Sequence, residues 1–474
     1  VENMKSFYDY LPEKEAIVTK QILIEEEKFL LTLEAGEKRL LDYIENASEL
    51  VISAEVAFLL YDTFGFPFEL THEVAEENGF IIDEEGFRNL LVEQKQRARN
   101  ARTNNQSMNV QNEEMIKFNL ESHFVGYSEL STKSKVIGLF KEGRLLHNAT
   151  GEVIAVFDKN GFYAESGGQI GDIGILSVNN KNYAVNNTIK LPNEQHGLII
   201  DMREDSLSVG DVVDLAVDED FRRDVEKNHS ATHLLNESLR RVVGGHIVQQ
   251  GSQVYDHGLR FDFNNYESLT NDQILLIEKM VNENINKGIV VNISQMPIDQ
   301  AKALGVQALF GEKYGEVVRV VNMDFSKELC GGTHVSNTSE IERFAILSIE
   351  SKGSGIYRIE AATGRHIIPE LENSLENIQI DINNNLERIN NIVLQAKNNN
   401  IDLEYKAIEL SDPIESYKMI INRRHEAELV RETYKQLEKT YEKKIREQNV
   451  IGINEYLNDV ININNKKVLI FVII

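Results

Sequence analysis

Cysteine occurs once in the 474 residues. A single thiol excludes an internal disulfide and suits a reducing compartment, so the expected location is cytoplasmic. No run of about 18 apolar residues occurs, which excludes a transmembrane helix and a membrane partner. The opening stretch VENMKSFYDYLPEKE has no basic start followed by an apolar run, so no signal peptide is expected. Positive charge is scarce: 50 Lys and Arg stand against 76 Asp and Glu, a formal net charge of −26. Generic attraction of the whole molecule to nucleic acid is therefore not expected, and any RNA would have to use local basic patches. Neither GxxxxGK[ST] nor GxGxxG is present, so no nucleoside triphosphate or dinucleotide site is implied. A HExxH peptidase is discounted because Ser230 stands where its glutamate would be.

What is present centres on His229-Ser-Ala-Thr-His233 and, far downstream, Cys330-Gly-Gly-Thr-His334. Leu234, Leu235, Leu239, Val242 and Val243 follow the first piece at helical spacing. His229 and His233 should thus lie one turn apart on one helix face, where both imidazoles can reach one ion. The glycines of the second piece predict a turn. Two histidines, a cysteine and a further histidine make a donor set that suits one Zn²⁺ per chain. A chance HxxxH among eleven histidines is the plain alternative; the only cysteine, four residues from a histidine, argues against it. Four protein ligands would also satisfy a purely structural zinc.

The expected fold class is multidomain α+β, in five stretches. Residues 1–105 read as helices, from apolar residues such as Ile17, Ile22, Ile24, Phe29, Leu33, Leu40 and Leu41 spaced three to four apart. They include the aromatic corner Leu60-Tyr-Asp-Thr-Phe-Gly-Phe-Pro67 and the basic cluster Lys95, Arg97, Arg99 and Arg102. That cluster is read as a phosphate contact or as a solvated helix end. Residues 103–113 read as a linker. Residues 114–218 show short alternating runs punctuated by glycine and asparagine, a small antiparallel β-barrel. Inside it lies a glycine-rich loop, Phe162 to Asp172. Residues 219–365 alternate helix and strand, an α+β domain that brings the metal ligands together from its two ends. Residues 366–448 carry two apolar seams, Leu371 to Val393 and Val430 to Ile445, a long helical hairpin. Its competitor is a coiled coil making a homodimer through the C-terminal region. Residues 449–474 read as the start of a further globular domain, with an apolar strand at 466–474.

NHSATHLLNESLR and LCGGTHVSNTSEI resemble the two zinc-binding motifs of the editing domain of alanyl-tRNA synthetases. YAESGGQIGD resembles that family's glycine-rich loop. GSQVYDHGLRFDF, GSGIYRIEAATG, FLLTLEAGEKRL and LYDTFGFP are also similar to family segments. The resemblance runs in order along the chain. It implies a helical tRNA-recognition segment, a barrel, a zinc editing domain and the start of the C-terminal helical region. It implies binding of tRNA(Ala), chiefly its acceptor stem and aminoacylated 3′ end, and hydrolysis of mischarged Ser-tRNA(Ala) or Gly-tRNA(Ala). By resemblance Asp62 reads the acceptor-stem G·U pair, and Gly167, Gly168 and Gln169 lie beside the tRNA end. Thr232 and Gln249 match residues of the editing pocket. The plain alternatives are that Asp62 caps a turn, Thr232 bonds a backbone carbonyl and Gln249 faces solvent. The family's ligation of alanine uses ATP and Mg²⁺ in a class II catalytic domain. We expect a fragment lacking that N-terminal domain and most of the C-terminal one, unable to charge tRNA. The alternatives are a tRNA-binding module without hydrolysis, and a structural zinc protein with a dimerising coiled coil.

Overall fold

The computed structural model describes residues 2–47, 49–106, 113–307, 315–353, 355–457, 461–463 and 466–468. They form two compact units, Val1–Glu113 and Glu114–Ile474.

The first unit is helical. A long helix, Leu11–Asn46, begins with proline in its first turn, where a missing N–H costs nothing. Ser53 caps the helix Ala54–Asp62. Helices Phe68–Glu77 and Glu84–Gln106 follow. Leu40, Ile52, Leu60, Phe66, Phe80 and Phe87 form the core between them. The aromatic corner packs as expected: Phe66 is buried, and its N–H donates to Leu60 O at 2.9 Å.

The second unit opens with a barrel. Its strands are Ser131–Lys141, Asn148–Phe157, Gly174–Val178, Lys181–Lys190, His196–Ser208 and Val212–Val217. Every neighbouring pair is antiparallel, and Val212–Val217 pairs with both Gly174–Val178 and Ser131–Lys141. That double pairing closes the ring and leaves no open edge among the six. Burial alternates strictly along Val212–Val217, as an inside-outside strand requires. Val136, Leu139, Phe157, Leu176, Leu198 and Leu215 fill the interior.

Asp218 then caps a 24-residue helix, Glu219–Val242, by accepting from Phe221 N–H at 3.1 Å. This helix carries His229 and His233. A second helix, Asn271–Asn286, starts at a capping box of Thr270 and Gln273. A four-stranded antiparallel sheet takes the order Gln249–Val254, Leu259–Asn264, Ile356–Thr363, Phe344–Gly353. A three-stranded sheet joins Asn292–Pro297, Val317–Asn322 and Lys327–Leu329. Its first strand begins three residues later than the apolar run at 289–293 suggests.

One apolar cluster runs through this region. It includes Leu234, Leu235, Phe261, Phe263, Ile277, Phe344 and Ile359, and continues into Ile367, Leu371, Leu375, Tyr417 and Met419. The core thus does not stop at residue 365. The helices Ile367–Asn398 and Lys418–Leu457 pack on each other through Ile382, Ile389, Val430 and Leu437. Arg431 pairs with Asp381 across them at 2.8 Å. Two short strands, Ile461–Ile463 and Lys466–Val468, pair beyond them. The remainder of the apolar stretch at 466–474 lies outside the described residues. Among the described residues no helix is long and apolar enough to cross a membrane.

Candidate metal centre

The helix Glu219–Val242 places His229 and His233 one turn apart, with their rings 5.3 Å apart and nearly parallel. The irregular stretch after Lys327–Leu329 brings Cys330 and His334 to the same point. One ligand atom from each of the four residues lies within 4.8 Å of every other. Cys330 Sγ is 3.3 Å from His229 Nε2 and 3.3 Å from His334 Nε2. His233 Nε2 is buried without a hydrogen-bond partner.

Each imidazole is held at its other nitrogen. His229 Nδ1 meets Gln169 Oε1 at 2.8 Å. His233 Nδ1 meets Glu328 Oε2 at 2.7 Å. His334 Nδ1 meets Ser230 Oγ at 3.2 Å. Three Nε2 atoms are thereby turned toward the sulfur. This is how metal-binding histidines are oriented: the far N–H is given to an oxygen and the near lone pair to the ion. The orphaned His233 Nε2 and the soft thiolate make the donor set fit a zinc ion.

The electrostatics of the cluster agree. Burial would raise the Cys330 thiol, but His229, His334 and His233 around it hold it well below its ordinary value. Burial opposes charge on His233, yet Glu328 and the Cys330 sulfur push it up to about 10. Burial and the neighbouring His229 depress His334 to about 3. Three imidazoles in one buried site cannot all be cationic, so positive charge is divided unequally among them.

The second piece needs its glycine. A Cβ on Gly332 would stand 2.0 Å from His229 Cε1. Around it, Arg319 donates to Cys330 O at 2.8 Å and to Gly332 O at 2.9 Å. The same guanidinium lies 4.2 Å from the centre of the Tyr127 ring, whose hydroxyl donates to Gly331 O at 2.6 Å. The barrel therefore grips the turn that carries the thiol.

The glycine-rich loop docks on the strand Gln249–Val254. Val254 N–H donates to Gly168 O at 2.7 Å, and Ile170 N–H to Val254 O at 3.2 Å. Gly168 has φ +83°, and a Cβ there would meet Ser252 O at 2.3 Å. Gly167 faces open space. Gln169 does not lie on the surface as a tRNA contact would: it is 0% exposed, and its side chain is spent on His229 and Thr333. The resemblance placed the loop beside the tRNA end and carried no information on the direction of this amide.

Thr232 is 4% exposed, and its hydroxyl donates to Asn228 O at 2.8 Å. Gln249 is half-buried and donates to Ser252 Oγ at 3.0 Å. In the first unit, Asp62 accepts from Gln94 on the helix that also bears exposed Lys95 and Arg97. The side chains of Arg99 and Arg102 lie outside the described residues.

Three further residues escape a reading by motif. Glu328 also accepts from Asn236 at 2.9 Å and Ser326 at 3.0 Å. A carboxylate two residues before a metal-site cysteine was the available signal. Ser230 was noticed only for what it is not. Arg222, 1% exposed, reaches Asp172 at 3.0 Å, Gly126 O at 2.6 Å and Gly161 O at 2.9 Å, fastening the start of the histidine helix to the barrel.

Two family models match. "tRNA synthetases class II (A)" covers residues 1–221, and "Threonyl and Alanyl tRNA synthetase second additional domain" covers residues 318–360. The first match removes the support for expecting the class II synthetase region to be absent: it begins at residue 1 and spans the helical unit and the barrel. Curated relatives agree in kind. The alanine–tRNA ligase of Acholeplasma laidlawii is 42% identical over 96% of this chain and 50% of the relative. That of Bacillus velezensis is 43% identical over 79% of this chain and 44% of the relative. That of Staphylococcus aureus strain JH9 is 44% identical over 79% and 43%. The chain spans about half the length of the curated relatives it matches. Along nearly all of its own length the chain is thus similar to part of these alanine–tRNA ligases, and residues 318–360 match the second additional domain of the threonyl and alanyl enzymes.

Proposed function

We propose that this chain binds tRNA(Ala) and hydrolyses the ester that joins serine or glycine wrongly to its 3′ end. The observation that carries this reading is the four-ligand cluster, with each imidazole fixed at Nδ1 and with Cys330 and His334 inside the stretch similar to the second additional domain of the threonyl and alanyl enzymes. His229, His233, Cys330 and His334 would hold one Zn²⁺. When bound, that ion supplies a Lewis-acid centre that can orient the aminoacyl end.

The rest falls to the chain's own residues. A pocket cannot separate serine from alanine by fit, so a polar group must recognise the hydroxyl. Thr232 is our choice: its hydroxyl proton is given to Asn228 O, which leaves the oxygen free to accept. Gln249 is the second polar group assigned to this pocket. Asp62, Lys95, Arg97, Arg99 and Arg102 are assigned to the acceptor stem, and Gly167 and Gly168 to the tRNA end. Backbone N–H groups of such a loop can approach a phosphate closely. The proposed setting is the cytoplasm. The apolar seam after 366 is buried between two helices of one chain, so a homodimer is not part of this proposal.

The test is release of labelled serine from Ser-tRNA(Ala), with Ala-tRNA(Ala) beside it and Cys330→Ala as control. Serine release that spares alanine and is lost in the variant is the expected result. Equal, slow loss from both substrates would overturn it. Alanine-dependent ATP–pyrophosphate exchange with Mg²⁺, on the same preparation, measures the ligase half separately.

A further inference from the structure

We infer that Gln169 is a positioning residue for the metal centre: its amide sets which nitrogen of His229 faces the ion and ties the glycine-rich loop to the turn that carries the thiol. The inference rests on the metal reading above.

The orientation of the amide follows from the backbone. Thr333 N–H can only donate, and it points at one end of the Gln169 amide at 2.9 Å. That end must be oxygen. The same oxygen lies 2.8 Å from His229 Nδ1. An oxygen that only accepts requires Nδ1 to carry the proton, so Nε2 is left as the lone-pair nitrogen. Nε2 is the atom that lies 3.3 Å from Cys330 Sγ. At the other end of the amide, Nε2 of Gln169 donates to Thr333 Oγ1 at 2.9 Å. All of the hydrogen bonds of the side chain are therefore made to the two halves of the metal centre.

The space around it is closed. Gln169 is 0% exposed. Gly332 lies so near that a Cβ on it would come within 2.7 Å of Gln169 Oε1. The loop itself is held by backbone pairing with Val254 on one side and by the Ser166–Gln169 turn on the other. The three imidazoles also differ in their partners: an amide for His229, a carboxylate for His233 and a hydroxyl for His334. Only the amide comes from the barrel's loop, so only Gln169 connects that loop to the imidazole set.

Two variants separate positioning from space-filling. Gln169→Leu keeps the approximate volume and removes the acceptor. Gln169→Glu keeps the acceptor for His229 and Thr333 N–H, and the Thr333 hydroxyl can rotate to donate to its second oxygen. Zinc affinity is read by competition with a chromophoric chelator, and the Co²⁺-substituted site by its visible ligand-field bands. Loss of an outer partner of a metal-binding histidine typically weakens binding by about 10–100-fold. We expect Gln169→Leu to weaken zinc by about that much and to change the Co²⁺ bands, and Gln169→Glu to restore both. A side chain that only fills space predicts the reverse order, with Leu like wild type and Glu the poorer; that order would overturn the inference. Unfolding of the metal-free variants checks that both fold. Wild-type protein that binds no zinc would overturn the metal reading itself, an outcome distinct from a wild type that binds and a Leu variant that binds as well.

Discussion

At the scale of single residues, two adjacent glycines make opposite demands. A Cβ on Gly332 would collide with the His229 ring, whereas one on Gly331 would meet nothing within 4 Å. Gly332→Ala should therefore push His229 and the 330–334 turn apart and weaken zinc by about tenfold or more, as displaced ligands do. Gly331→Ala should bind zinc like wild type. Zinc content after dialysis checks both; equal retention would remove the steric argument. The four ligands were legible in the sequence because their spacing and chemistry are local. The partners that orient them were less so: Gln169 comes from a distant loop, while Ser230 and Glu328 lie beside the ligands but each turns to a histidine of the other motif. Gln169 was placed beside the tRNA end by the resemblance of its loop, which says nothing of where its amide points. The plain reading of Thr232, a hydroxyl bonded to a backbone carbonyl, is what its geometry shows, and its proposed pocket role must use the oxygen left over.

At the scale of elements, the histidine helix is positioned by its first turn. Asp218 caps it, and four residues later Arg222 binds Asp172 at the end of the glycine-rich loop. Burial raises the Asp172 carboxyl and the Arg222 guanidinium offsets it, so the charged pair is held only while both are present. Removing one member of such a pair leaves a buried charge uncompensated, at a cost of about 3–5 kcal/mol. We expect that loss for Arg222→Met in urea unfolding, and a smaller loss when Asp172→Asn is combined with it. A single variant within about 0.5 kcal/mol of wild type would show that the pair does not fasten helix to barrel. Periodicity gave the helix and the barrel strands their places, because period two and period 3.6 are written in the side chains. Barrel closure was less legible: nothing in Val212–Val217 says that it has two partners.

At the scale of the whole molecule, the apolar cores are not built from the metal ligands, although Cys330 packs against the α+β one. The helical unit is built on Leu60, Phe66 and Phe87, and the barrel on Leu139, Phe157 and Leu198, with no metal ligand among them. The α+β region has its own apolar cluster, continuous with the two long helices. On the proposed function, chelation should abolish serine release while leaving far-ultraviolet dichroism close to that of the zinc-bound chain. With free zinc about 100-fold above its dissociation constant, some 2.7 kcal/mol of stability is linked to the ion. Thermal unfolding with and without chelator measures this, and collapse of helix signal on chelation at 25 °C would assign the ion a structural role. Net charge of −26 was the broadest feature visible in composition, and it says nothing of where these cores divide.

The solitary thiol has one more consequence. Cys330 is the chain's only sulfur nucleophile of its kind, and it is half-buried beside three imidazoles. Alkylation by a thiol reagent thus has a single address, without background from any second cysteine. The proposed ion would shield the sulfur, and a site stripped of it would present a thiolate. The number of thiols labelled per chain is then a direct gauge of the empty fraction, readable by mass alone in any preparation of the protein.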